Sequence, residues 1–289
     1  MIKKIFNFAK IVISFYFVYF FGNYLIENFE KLNNLFITSL IPILSIISIK
    51  IITICLNTAI FKQILLTLGI NIDFSKAQEL TILNNLGNFV GPLKIGSGMR
   101  IEYLRQNHNL NIKKFILKNF NFSLYSQILY LLVFVITLYI SKFIAFGTLI
   151  FIFFFFIILL YLMQKSSIFN KKNIFLSVDF INNRMLNLLL LLLFIFGSWA
   201  IFIEINMITE NSYSFIKSIF VFQGISITNL INLTPSNLGV REFSLAAINV
   251  LHGLNINQLI EIGIIDRFCS ITATFICFLF QNLIRLKGD

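Results

Sequence analysis

Proline, cysteine and histidine are scarce in this chain, with three, three and two copies in 289 residues, and only 12% of its residues are charged. So few cysteines, with no Cys-x-x-Cys spacing, exclude a disulfide framework, and with only two histidines no metal-ligand set is expected. Cys55, Cys269 and Cys277 fall in apolar runs, where a thiol behaves as a small hydrophobe. No Gly-rich loop ending in Gly-Lys-Ser/Thr exists to cradle a nucleotide phosphate, and no paired carboxylates offer a general acid and base. No cofactor is expected, and the shortage of charge excludes an ordinary water-soluble domain.

What is present is apolar. Hydrophobic residues make up 58% of the chain and phenylalanine alone contributes 36, a composition suited to a bilayer. Six runs approach or exceed the roughly 20 apolar residues that a spanning helix needs, at 11–26, 35–61, 120–140, 143–163, 185–207 and 263–284. The first follows Lys3, Lys4 and Lys10 but precedes no small-residue cleavage pattern, so it is expected to stay as a helix. The net charge of +11 points to loops facing anionic lipid; nucleic acid is not an expected partner.

Two further stretches are half apolar and broken in the middle. Residues 79–99 hold Asn84, Asn85, Asn88, Pro92, Gly96 and Gly98, and residues 215–250 hold Asn229, Asn232, Pro235, Asn237 and Gly239. Proline removes a helical donor and glycine relaxes the backbone, so each reads as a helix interrupted near Pro92 or Pro235 and then resumed. Such breaks survive at membrane depth only when packed in protein or lining a wet cavity. If both stretches turn back as re-entrant hairpins and both termini are cytoplasmic, most of the 23 lysines and arginines face inward. A full crossing by 79–99 would export the basic cluster of 100–118. The expected location is therefore the cell (inner) membrane, multi-pass.

The two histidines sit in matched pentapeptides, His108-Asn109-Leu110-Asn111-Ile112 and His252-Gly253-Leu254-Asn255-Ile256. Upstream, Pro92 precedes Gly96 as Pro235 precedes Gly239, and Arg100 and Arg241-Glu242 follow. Rare residues in register indicate an internal duplication. The expected fold is an all-α membrane protein of one transmembrane domain: six transmembrane helices plus two broken re-entrant hairpins, arranged as inverted repeats of about 1–142 and 143–289. Three crossings per half make the second half inverted, a pattern that points to a transporter site at the midplane. The alternative is that proline and glycine only kink helices for packing.

Charges at membrane depth need pairing or water, which singles out Arg100, Arg241, Glu242, Asp266 and Arg267. An arginine fork suits phosphate, though Arg100 also reads as a cytoplasmic anchor, and Asp266 with Arg267 also reads as a local structural ion pair. Asn88 and Asn232 are candidates for bonding broken backbone or substrate oxygens. Lys50 is mid-span and calls for a partner such as Glu204 unless it snorkels. Glu79 and Glu102 flank the first hairpin. Neither histidine is assigned a proton-transfer role.

Thr234-Pro235-Ser236-Asn237-Leu238-Gly239-Val240-Arg241-Glu242, the Gly253-Leu254-Asn255 turn and Asp266-Arg267 resemble the carboxy-terminal signature of the lysylphosphatidylglycerol synthase transmembrane family. Pro92 through Arg100, with Leu104-Arg105, is similar to that family's first motif and departs at Ser97, where glutamate is common; Glu102 is the nearest substitute. The resemblance implies a flippase-like protein related to the multiple peptide resistance factors, moving an anionic, modified or polyprenyl-linked lipid between leaflets. With the chain ending at Asp289, the soluble synthase domain and its activity are not expected. Two other readings stay open: a non-transporting membrane partner of a glycosyltransferase or lipid-modifying enzyme, docked on the basic 100–118 surface, and a membrane-embedded enzyme acting on a polyprenyl-linked sugar.

Overall fold

The computed structural model describes residues 39–90, 95–140, 142, 183–209, 213–231, 246 and 253–288, with positions 19, 23, 26, 29 and 30. Among these residues every regular element is an α-helix: α1 (Leu40–Leu66), α2 (Phe74–Val90), α3 (Ile95–His108), α4 (Ile112–Ile140), α5 (Arg184–Ile208), α6 (Phe215–Ile231) and α7 (Ile256–Gly288). The runs 11–26, apart from single positions, and 143–163 lie outside the described residues, as do Pro92, Asn232, Pro235, Gly239, Arg241, Glu242 and His252.

Among the described residues four helices are long and apolar enough to cross a membrane: α1, α4, α5 and Glu261–Leu283 within α7. Their apolar residues run all round the helix, so one side packs inward while the other stays uncovered. On α5, Leu188, Leu191, Ile195 and Trp199 form an exposed stripe at three- and four-residue spacing; on α7, Phe275, Ile276, Leu279, Phe280 and Leu283 do the same. Water would not tolerate such stripes on a monomer, whereas acyl chains solvate them without cost. The protein is a multi-pass membrane protein.

Helix α1 is the hub, packing on α2, α5 and α7. Its buried Ile43, Ile46, Ile47 and Ile54 join Ile82 and Leu86 of α2 and Ile265, Cys269 and Ala273 of α7 in one cluster. Farther along, Ile60 and Ile64 meet Leu186, Leu189 and Leu190 of α5 with Tyr125 of α4. Because lipid supplies no hydrophobic drive between helices, close fit and polar contacts hold them together. Gln281 Nε2 donates to the Ser75 carbonyl across α7 and α2 (2.6 Å), Gln223 Nε2 to the Tyr130 carbonyl across α6 and α4 (2.6 Å), and Tyr125 Oη to Asn187 Oδ1 across α4 and α5 (2.7 Å). Gly197 admits the Phe222 ring so closely that a β-carbon would stand 2.2 Å from it.

The last four residues of the duplicated pentapeptide, 109–112 and 253–256, have one local structure twice. Asn109 and Gly253, each directly after a histidine position, take left-handed backbone with φ of 50° and 74°. Asparagine and glycine are the residues that enter that region most readily. Leu110 and Leu254 are buried. Asn111 Oδ1 accepts from the Lys114 backbone N–H (3.1 Å) and Asn255 Oδ1 from that of Gln258 (2.9 Å), capping helices that begin at Ile112 and Ile256. In the second copy Gln258 Oε1 accepts in return from the Asn255 N–H (3.0 Å), completing a capping box. These caps explain why α4 and α7 start earlier than hydropathy alone places them, at Ile112 instead of 120 and at Ile256 instead of 263.

Candidate functional site

The first broken stretch is a pair of packed helices, α2 and α3, on either side of residues 91–94. Gly96 belongs to α3 and not to the break, and its role is contact: a β-carbon there would lie 2.2 Å from the Asn84 carbonyl oxygen. Ser97 Oγ then donates to Asn84 Oδ1 (2.8 Å). Ser97 thus helps to close the pair. One turn on, Arg100 lies with its guanidinium 4.3 Å from the centre of the Phe61 ring of α1. This cation–π contact is attractive, by about 0.5–2 kcal/mol, but leaves the fork of donors unspent. Arg100 Nε is buried without a hydrogen-bond partner among the described residues, and no carboxylate there pairs with it. Asn88 Oδ1, on α2 nearer the break, is likewise buried and unbonded among the described residues.

A second group of charges lies at the junction of α1, α5 and α7. Lys50 Nζ donates to Asp266 Oδ1 in an ion pair and stands 3.7 Å from Glu204 Oε1. Glu204 is completely enclosed, while the Lys50 and Asp266 side chains keep 16% and 14% of their surface open. Each charge would be costly at membrane depth alone, and their mutual attraction in a medium of low polarity compensates. Lys50 and Phe61 are eleven residues apart on α1, so this group and Arg100 are about 16 Å apart along the axis. Arg267, next to Asp266, is buried on α7.

The remaining polar residues sort by position. Glu79 pairs with Lys76 (2.7 Å), whose ammonium sits 4.4 Å above the Tyr103 ring, tying the start of α2 to α3. Glu102 faces outward and accepts from Arg105 (2.7 Å) and Gln106; the Arg105 hydrogen bond, chiefly, holds its carboxyl below the usual range. It therefore does not join Ser97. His108 ends α3 near Tyr103, with ring centres 6.3 Å apart. Among the described residues no group of His, Cys, Asp and Glu has the make-up of a metal site.

Of the residues expected at a binding site, the structure brings Asp266 to Lys50 and seats Arg100 against α1; Asn88 lies on α2 and Arg267 on α7. Sequence reasoning anticipated Lys50 with Glu204 but not Lys50 with Asp266, nor Phe61 beneath Arg100. The signal for the first was available, because a mid-span lysine demands an acid at its own depth and the last span offers Asp266. A family model described as the lysylphosphatidylglycerol synthase TM region matches residues 7–277. No curated protein and no solved structure matches the chain.

Proposed function

The chain belongs to the lysylphosphatidylglycerol synthase transmembrane family, and from that membership we propose that it translocates an anionic phospholipid or polyprenyl-linked lipid between the leaflets of the cell membrane. The observation that carries this reading is Arg100. A guanidinium placed on an aromatic face, with a buried Nε and no carboxylate partner among the described residues, is suited to receive an anion. Planar, bidentate donors match phosphate oxygens, and a lipid headgroup is the phosphate that a bilayer supplies.

In this mechanism the α2–α3 pair enters from the cytoplasmic side, with both termini cytoplasmic, and offers Arg100 to a headgroup. Asn88 adds an acceptor for headgroup hydroxyls. Arg241 and Glu242, on the inverted counterpart, receive the headgroup from the other side, with Asn232 as the counterpart polar group and Asp266-Arg267 beside the path. Rocking of the two halves passes the polar group through the centre while the acyl chains remain in lipid. Movement runs downhill or is coupled to a gradient.

A second reading is supported by one feature, the exposure of Arg105, Lys113 and Lys114 around the α3–α4 turn. That surface suits a non-transporting partner docking a glycosyltransferase or lipid-modifying enzyme. The two readings separate in vesicles. Reconstituted protein should speed the leaflet exchange of fluorescent phosphatidylglycerol, and Arg100→Ala should abolish most of the gain. No acceleration with any phospholipid or polyprenyl phosphate removes the translocation reading. A docking protein would instead co-purify with its enzyme in the Arg100→Ala form and lose it when Lys113 and Lys114 are neutralised.

A further inference from the structure

Lys50 and Glu204 have no part in the translocation steps above, yet with Asp266 they form a costly cluster of charge among the described residues. Three helices contribute one charge each: Lys50 from α1, Glu204 from α5 and Asp266 from α7. Lys50 and Lys62 are the only cations on α1, so toward the Leu40 end Lys50 is the next cation that helix offers beyond Arg100. The separation of about 16 Å is roughly half the hydrocarbon thickness.

We infer that Lys50 is a second station for the lipid phosphate, and that Asp266 is the internal anion which the phosphate displaces. This rests on the translocation reading and deepens it. Exposure divides the roles of the two acids. Glu204 is sealed behind the pair, whereas the open surface of the group belongs to Lys50 and Asp266, so an arriving anion meets the Lys50–Asp266 contact first. Exchange is feasible because a phosphodiester carries the same single negative charge as a carboxylate. Lys50 stays neutralised throughout, with Glu204 behind it, and Asp266 turns its carboxylate into water on the side where it is already partly open, which requires that side to be wet.

The exchange has a mechanical consequence. Helix α1 packs on both α5 and α7, and the Lys50–Asp266 pair clips α7 to α1. Phosphate on Lys50 releases that clip without leaving a bare ammonium, so the arriving lipid itself loosens the junction through which it passes. Cys269, fully buried and one turn beyond Asp266 on α7, lies where the loosening is felt.

Opposite substitutions give opposite results. Binding of dioctanoyl phosphatidylglycerol to the purified full-length protein should weaken roughly tenfold in Lys50→Gln and persist in Lys50→Arg, which separates lost charge from lost fold. Asp266→Asn should tighten the same binding several-fold, because the competing anion is gone. With Cys55→Ser and Cys277→Ser removing the other thiols, Cys269 should react faster with a maleimide when this lipid is added, and not when phosphate-free dioctanoylglycerol is added. Equal weakening in Lys50→Gln and Asp266→Asn, or no change in either, overturns the station and leaves a structural ion pair. If wild type accelerates no lipid exchange while the two variants still shift binding in opposite directions, translocation fails and the phosphate station stands. If exchange proceeds and Lys50→Gln alters neither exchange nor binding, the station fails and translocation stands.

Discussion

Arg100 carries its burden through chemistry that a lysine would not reproduce. Stacking over Phe61 and presenting a planar fork are both properties of guanidinium, so Arg100→Lys should recover only part of what Arg100→Ala loses. The expected loss for alanine is roughly tenfold or more in exchange rate, the scale of one charge-assisted hydrogen-bonded contact. Gly96 is decided by space alone. Adding one methyl at 2.2 Å from the Asn84 carbonyl forces backbone apart, and Gly96→Ala should destabilise the protein by about 1–3 kcal/mol, read as a lower unfolding midpoint in detergent. Removing the Ser97 hydroxyl should cost less, about 1 kcal/mol, since it deletes one neutral hydrogen bond. Arg100 and Gly96 were legible as residues of interest from the sequence. Their partners were not, because Phe61 is one of 36 phenylalanines and Asn84 sits among other asparagines, and only packing chooses between them.

At the scale of elements, the last four residues of the repeated pentapeptide are a device for starting a long helix. The histidines mark the motif, but the work falls to a left-handed residue, a buried leucine and an asparagine cap. The duplication therefore predicts matched energetics. Asn111→Ala and Asn255→Ala should each cost about 1 kcal/mol, and Leu110→Ala and Leu254→Ala about 2–5 kcal/mol each, whereas His108→Ala should stay within about 0.5 kcal/mol. Thermal or denaturant unfolding of the four variants checks the pairing, and a large effect in one half without its counterpart would speak against a shared structural unit. Helix type over the described parts of 35–140 and 185–284 could be read from hydropathy because lipid demands continuous apolar runs. Their starts could not, because caps and left-handed turns are set by one or two polar residues that hydropathy windows average away.

For the whole molecule, α1 collects the structure: it holds α2, α5 and α7 and carries both the aromatic seat of Arg100 and the Lys50 ion pair. That dual position could not be derived from charge counting, which treats each span alone; it follows from which helices pack. The charge count instead makes a claim about sidedness. In an otherwise cysteine-free protein, Lys113→Cys should react with an impermeant maleimide only from the cytoplasmic face and Lys217→Cys only from the opposite face. Both positions are exposed. Labelling of both from one face would reject the inverted arrangement of the two broken stretches.

The central claim, that an anionic lipid crosses by way of Arg100 and its inverted counterpart, is tested most directly by the leaflet exchange rate of fluorescent phosphatidylglycerol in vesicles holding wild type, Arg100→Ala or Arg241→Ala. The account predicts fast exchange for wild type and a loss of roughly tenfold or more in each variant, with all three proteins equally folded and incorporated. Exchange in both variants at the wild-type rate, or a wild type no faster than protein-free vesicles, would contradict it.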